Sequence, residues 1–184
     1  MLGLAACAFA VLPVPLSSVL AAGPVSRYTD VSGASCRSLG DSVFACPALP
    51  GYASTLSDNG NIVQVALEPK AGGAAVVFQA HVLGSWLEWR IRRTGNRDEP
   101  YAAILRMTFL DGPDKAGEVL GVARLAPGGA CLMGFVDARS DANANVLARR
   151  MADEHAATFA CAHDPRLLEG ITSPDLADRL RSPP

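Results

Sequence analysis

Between Tyr52 and Asp137 apolar and polar residues alternate in short runs broken by turn residues, the pattern of antiparallel strands. Tyr52 to Ser57 and Ile62 to Leu67 flank Asp58-Asn59-Gly60-Asn61, where Asn-Gly accepts the positive φ of a tight hairpin. Ala74 to Val82 is mostly apolar and ambiguous between strand and helix. Trp86 to Ile91 and Tyr101 to Leu110 read as two alternating strands joined by the polar turn Thr94-Gly95-Asn96-Arg97-Asp98. Asp111-Gly112-Pro113-Asp114 and Pro127-Gly128-Gly129 then turn the chain into Glu118 to Leu125 and Ala130 to Asp137. These segments predict a meander of four adjacent strands, extended by the earlier hairpin.

After Asp137 the period changes from two to three and four. Ala144, Leu147, Ala148, Met151, His155 and Phe159 recur at helical steps, predicting an amphipathic helix from Asp141 to Thr158 with Ser140 or Asp141 as its cap. In the Pro-rich tail, 165–184, Ser173-Pro174 can start a short last helix. The expected fold class is α+β: an antiparallel meander of about six strands with one long C-terminal helix packed on it.

Met1 to Leu20 is apolar and uncharged, and Val19-Leu20-Ala21-Ala22 fits a signal-peptidase site, so residues 1–21 read as a cleaved signal peptide. Residues 22–164 then form a single domain. No Lys or Arg opens the segment, which leaves a start upstream of Met1 open. Pro13, Pro15, Ser17 and Ser18 interrupt the run, against a stable membrane span. Leu4-Ala5-Ala6-Cys7 also spells a lipobox, but most of the apolar stretch follows Cys7 rather than preceding it. Export through a cleaved signal is therefore preferred to a lipid anchor on Cys7.

Removal of Cys7 leaves Cys36, Cys46, Cys131 and Cys161, an even set in an exported chain, which indicates disulfides. The favoured pairing is Cys36–Cys46, closing a short hairpin-like loop, and Cys131–Cys161, bracketing the strand-to-helix segment. No C-x-x-C or H-x-x-x-H spacing occurs, so neither a metal nor a cofactor is expected.

Charge narrows the partners. Lys plus Arg is 16 against 18 Asp plus Glu, a net charge of -2 with no basic block, which argues against nucleic acid. The informative charges sit on the predicted strands. Trp86, Glu88 and Arg90 share one strand face, and Ala102, Ile104, Arg106 and Thr108 share a face of the next. Pairing the apolar faces sets Arg106 beside Glu88 and near Arg90, and extending the meander adds Arg124. A carboxylate among three guanidiniums, rimmed by Trp86, suits recognition of a carboxylate or phosphate, because the planar Arg fork binds either through two hydrogen bonds. The competing reading is an ion-pair network that only tiles the sheet, or one partly buried under the helix that sets register.

Other chemistry is sparse. Leu39-Gly40-Asp41-Ser42-Val43 resembles the nucleophile block of GDSL-type hydrolases over five residues. The Asp-x-x-His those enzymes also need is matched only by Asp153-Glu154-His155, with the wrong spacing. His81, His155 and His163 have no nucleophile placed beside them, and His155 falls on the apolar helix side. Gly72-Gly73 and Gly128-Gly129 are turn glycines without phosphate-loop spacing.

Trp86-Leu87-Glu88-Trp89-Arg90, Ala103-Ile104-Leu105-Arg106, Cys131, Val136-Asp137-Ala138, Asn143-Ala144-Asn145, Ala148-Arg149, Ala152-Asp153, Phe159 and Cys161 together resemble a group of small exported proteins of alphaproteobacteria. The resemblance implies a periplasmic location and no catalytic activity. The resulting expectation is a non-catalytic periplasmic binding protein. Its partner would be a protein or a small anionic ligand, held through Trp86, Glu88, Arg90, Arg106 and Arg124. The alternatives are a small hydrolase using a carboxylate or His155, and a purely structural envelope protein.

Overall fold

The structure, a computed structural model, describes residues 23–110, 116–139 and 142–182. The chain enters as β1 (Val25–Asp30) and makes a meander of β2 (Arg37–Gly40), β3 (Val43–Cys46), β4 (Tyr52–Asp58), β5 (Val63–Pro69) and β6 (Val76–Ala80). It crosses through β7 (Val82–Leu83) into a second meander of β8 (Trp86–Thr94), β9 (Arg97–Leu110), β10 (Ala116–Ala126) and β11 (Gly129–Asp137). Helix α1 (Ala144–His155), strand β12 (Leu167–Glu169) and helix α2 (Pro174–Arg181) follow.

Strands occupy 53% of the described residues and helices 15%. This overturns the expected α+β architecture: the fold is mostly β, built of two sheets with two short helices, not one meander carrying a long C-terminal helix. The larger sheet runs β1-β8-β9-β10-β11-β12, with β7 also on β9, and the smaller runs β2-β3-β4-β5-β6. The reason for the miss lies in the added strands. β1 reads VSRYTD, a mixed sequence with little alternation, and β2 is four exposed residues. Such edges carry no apolar period to detect. The long helix is shorter because regular helix stops at His155, after which Ala156 to Thr158 form turns. Asn143 holds the N-cap position. Ser140 and Asp141, the turn 111–114, and residues 1–21 with Cys7 lie outside the described residues.

Alternation builds three layers. Leu87, Trp89 and Ile91 of β8 and Leu105, Met107 and Phe109 of β9 pack with Val65, Leu67, Val76 and Phe78 of the smaller sheet in one core. The other face of the larger sheet, including Ile104, Leu120, Val122 and Met133, is covered by Ala144, Ala148, Met151 and Ala152 of α1. Leu176 and Leu180 of α2 join the inter-sheet core.

Two irregularities shape the helix-covered face. Between β8 and β9 the register runs Arg90↔Ala102 and then Ile91↔Pro100, leaving Tyr101 as an extra residue. Pro100 has no N–H to give a ladder, and bulges tolerate that. The bulge turns Tyr101 to the α1 side, where it packs with Ala102 and Ile104, instead of the Leu105 side that strict alternation predicts. Both disulfides form as expected, Cys36–Cys46 and Cys131–Cys161. The second ties the chain beyond α1 back to β11. The disulfides fit an oxidising, exported environment, and no helix among the described residues is long and apolar enough to cross a membrane.

Candidate functional site

Glu88 and Arg90 project from β8 towards α1 and are buried, at 5% and 6% exposure. Buried charges need partners, and α1 supplies both with the signs reversed. Arg149 Nε donates to Glu88 Oε1 at 2.6 Å, and its Nη2 to Oε2 at 3.2 Å. Arg90 Nε donates to Asp153 Oδ1 at 2.9 Å, and its Nη2 to Oδ2 at 2.7 Å. The spacing explains the match. Residues i and i+2 on a strand lie about 6.6 Å apart, and i and i+4 on a helix rise about 6 Å on one face. Glu-x-Arg on the strand therefore meets Arg-x-x-x-Asp on the helix as two forked ion pairs.

Neighbours close the network. Ser26 of β1 donates to Glu88 and accepts from Arg90 Nη1 at 2.6 Å. Tyr28 Oη accepts from Arg149 Nη2 at 2.9 Å, and the Tyr101 hydroxyl donates to Asp153. Burial, and then the hydrogen bond and charge of Asp153, push the Tyr101 phenol up to about 12. Burial acts to lower the Arg90 pKa, but the bonds and charge of Asp153 outweigh it and leave it raised. The hydrogen bond to Glu88 raises that of Arg149.

The five residues singled out from the sequence share this sheet face, yet they divide into separate sets. Glu88 and Arg90 are held by α1. Ile104, not Arg106 as expected, stands opposite Glu88; Arg106 lies against Gly84 and donates to Glu118. Arg124 reaches the Ala156 carbonyl at 3.0 Å, steadying the chain after α1. Trp86 remains 60% exposed. The three guanidiniums therefore do not converge on one point. A different grouping does form: beyond the start of α1, Tyr28, Trp86, Glu88, Arg106 and Asn145 line a cavity of about 260 Å³. Tyr28 there is 50% exposed.

Arg149 and Asp153 escaped the sequence reading as site residues, as did Ser26, Tyr28 and Tyr101. One signal for the first two was present, since their i, i+4 charge order is the inverse of Glu88 and Arg90. Ser26 and Tyr28 depend on β1 joining β8, and Tyr101 on the bulge.

The remaining sequence motifs sit apart. Asp41 and Ser42, at φ 47° and 61°, form the turn between β2 and β3, not the strand-to-helix elbow of a nucleophile. His155 is on the exposed side of α1 rather than its apolar side, and its Nε2 lies 4.0 Å from Glu154 Oε2, outside hydrogen-bond reach. Among the described residues, no group of three or more His, Cys, Asp or Glu is placed to hold a metal ion. No protein-family model, curated protein or solved structure matches the chain.

Proposed function

We propose that this protein is a non-catalytic periplasmic interaction module that holds a protein partner on the surface formed by Trp86, Tyr28 and Arg106. The observation that carries the reading is the exposure of Trp86. A large indole stands on a sheet face at 60% exposure, beside a second exposed ring and a guanidinium that line the same cavity. Burying an exposed aromatic ring is strongly favourable. Trp, Tyr and Arg are also the residue types that dominate interface hot spots.

The network beneath α1 has a supporting role in this scheme. Glu88, Arg90, Arg149 and Asp153 fix the helix on the sheet, and Arg149 holds the Tyr28 hydroxyl, so the rim is pre-organised. Rigid side chains lose less entropy on binding. Affinity capture from a periplasmic extract tests the reading, with wild-type protein and a Trp86→Ala variant of equal stability as baits. A stoichiometric partner retained by wild type and lost by Trp86→Ala is expected. Equal recovery on both baits would move the interface elsewhere, and no partner on either would remove the protein-binding reading.

A further inference from the structure

A second cavity, of about 300 Å³, opens on the opposite side of the larger sheet, between β6, β9, β11 and α2. Its floor is apolar: Met107, Phe109, Phe135 and Leu180 contribute, all buried members of the inter-sheet core. Its charged groups are cationic. Arg166 stacks over Phe135 with its guanidinium carbon 5.9 Å from the ring centroid, and Arg179 lies 5.8 Å over Phe109. Among the described residues, no Asp or Glu lines this cavity.

Arg166 is the informative side chain. Its Nη1 donates to the carbonyls of Leu180 and Ser182, at 2.9 and 2.6 Å, which anchors the end of α2. Its Nε and Nη2 have no acceptor and the group no carboxylate partner among the described residues. Burial lowers its pKa. A half-buried guanidinium facing apolar walls with two donors to spare is complementary to a carboxylate, which takes two parallel N–H bonds. His81 contributes a further polar edge: its Nδ1 accepts from the Leu110 N–H at 3.0 Å, which leaves Nε2 as the donor.

We propose that this cavity binds a small amphiphilic carboxylate, its head group on Arg166 and its hydrocarbon body against Phe109, Phe135 and Leu180. The size follows from the volume. A liquid water occupies about 30 Å³ and a methylene has a similar share, so 300 Å³ takes about ten heavy atoms. That is the size of octanoate, and the volume sits at the small end of ligand cavities. The site lies across the sheet from the Trp86 surface and does not depend on it.

Titration calorimetry with octanoate, octanol and octylammonium tests the assignment. Octanoate should bind with a Kd below about 1 mM, and octanol and octylammonium at least tenfold more weakly. Arg166→Gln keeps an N–H donor for the α2 carbonyls and removes the charge. It should weaken octanoate about tenfold and leave octanol unchanged. Val77→Trp, which fills the cavity from β6, should abolish binding of both and decides the matter if Arg166→Gln fails to fold. No saturable octanoate binding, octanol binding as tightly, or full octanoate affinity in Val77→Trp would overturn the proposal.

Discussion

Replacing Asp153 by Leu removes the acceptor of two of the three Arg90 side-chain bonds while the guanidinium, still bonded to Ser26, stays in place. The Arg90 side chain is 7% exposed and that of Asp153 29%. Breaking a fully buried pair costs about 3–5 kcal/mol, and the solvent edge at Asp153 reduces this to about 2–3 kcal/mol. For a domain of this size each kcal/mol lowers Tm by about 2–4 °C, so a drop of about 4–12 °C is expected. Replacing both charges, as Arg90→Met with Asp153→Leu, leaves no orphaned ion. It should recover most of the loss, because apolar pairs of similar volume often match buried ion pairs. The assay is equilibrium denaturation of wild type, both single variants and the double variant. Tyr101→Phe is included in every member, so the hydroxyl that shares Asp153 adds no cost of its own. A favourable coupling of at least about 1 kcal/mol is expected. A single-variant cost within about 0.5 kcal/mol, or losses that simply add, would refute the claim that this pair locks α1 to the sheet.

Alkaline pH provides a second check on the same network. Tyr101 has its pKa raised to about 12 from an ordinary 10, so its contribution is complete below about pH 10 and is lost as pH rises towards 12. Tyr101→Phe should flatten that part of the stability profile, and phenolate absorbance follows the titration directly. Gly134→Ala should cost about 1–3 kcal/mol in denaturant unfolding, since its methyl would fall 2.6 Å from the Leu167 carbonyl oxygen and 2.7 Å from Met151 Sδ. Removing the Cys131–Cys161 bond, which spans 30 residues, should cost about 3–4 kcal/mol by loop entropy. The Cys36–Cys46 bond spans 10 and should be worth about 2–3 kcal/mol on the same scale. Unfolding of the two Cys-pair→Ala variants gives both values.

What could be read from the chain depended on whether a pattern was local. The β8 to β11 strands run nine to fourteen residues, of which the sequence pattern marks six to ten in each, and the Asn59-Gly60 hairpin carries its own turn chemistry, so these were visible. The division into two sheets was not, because nothing in Ala74 to Val82 marks the crossover at β6 and β7. β12 shows the same limit: three residues pair in parallel with β11, a contact set by tertiary packing rather than by local propensity. At the site, Glu88 and Arg90 were found because strand alternation exposes their shared face. Their partners were missed because a strand–helix match spans about sixty residues of sequence. Arg106 and Arg124 were placed on the correct face, but no sequence rule told that Glu118 and the Ala156 carbonyl would take them.

The most direct measurement is site-specific photo-crosslinking in living cells. A photoreactive phenylalanine analogue replaces Trp86, with the exposed Glu68 on β5 as control on the far sheet. One discrete adduct from position 86 and none from position 68 is the expected result. No adduct at 86, or the same adduct pattern at both positions, would contradict the assignment of the Trp86 surface as the point of contact.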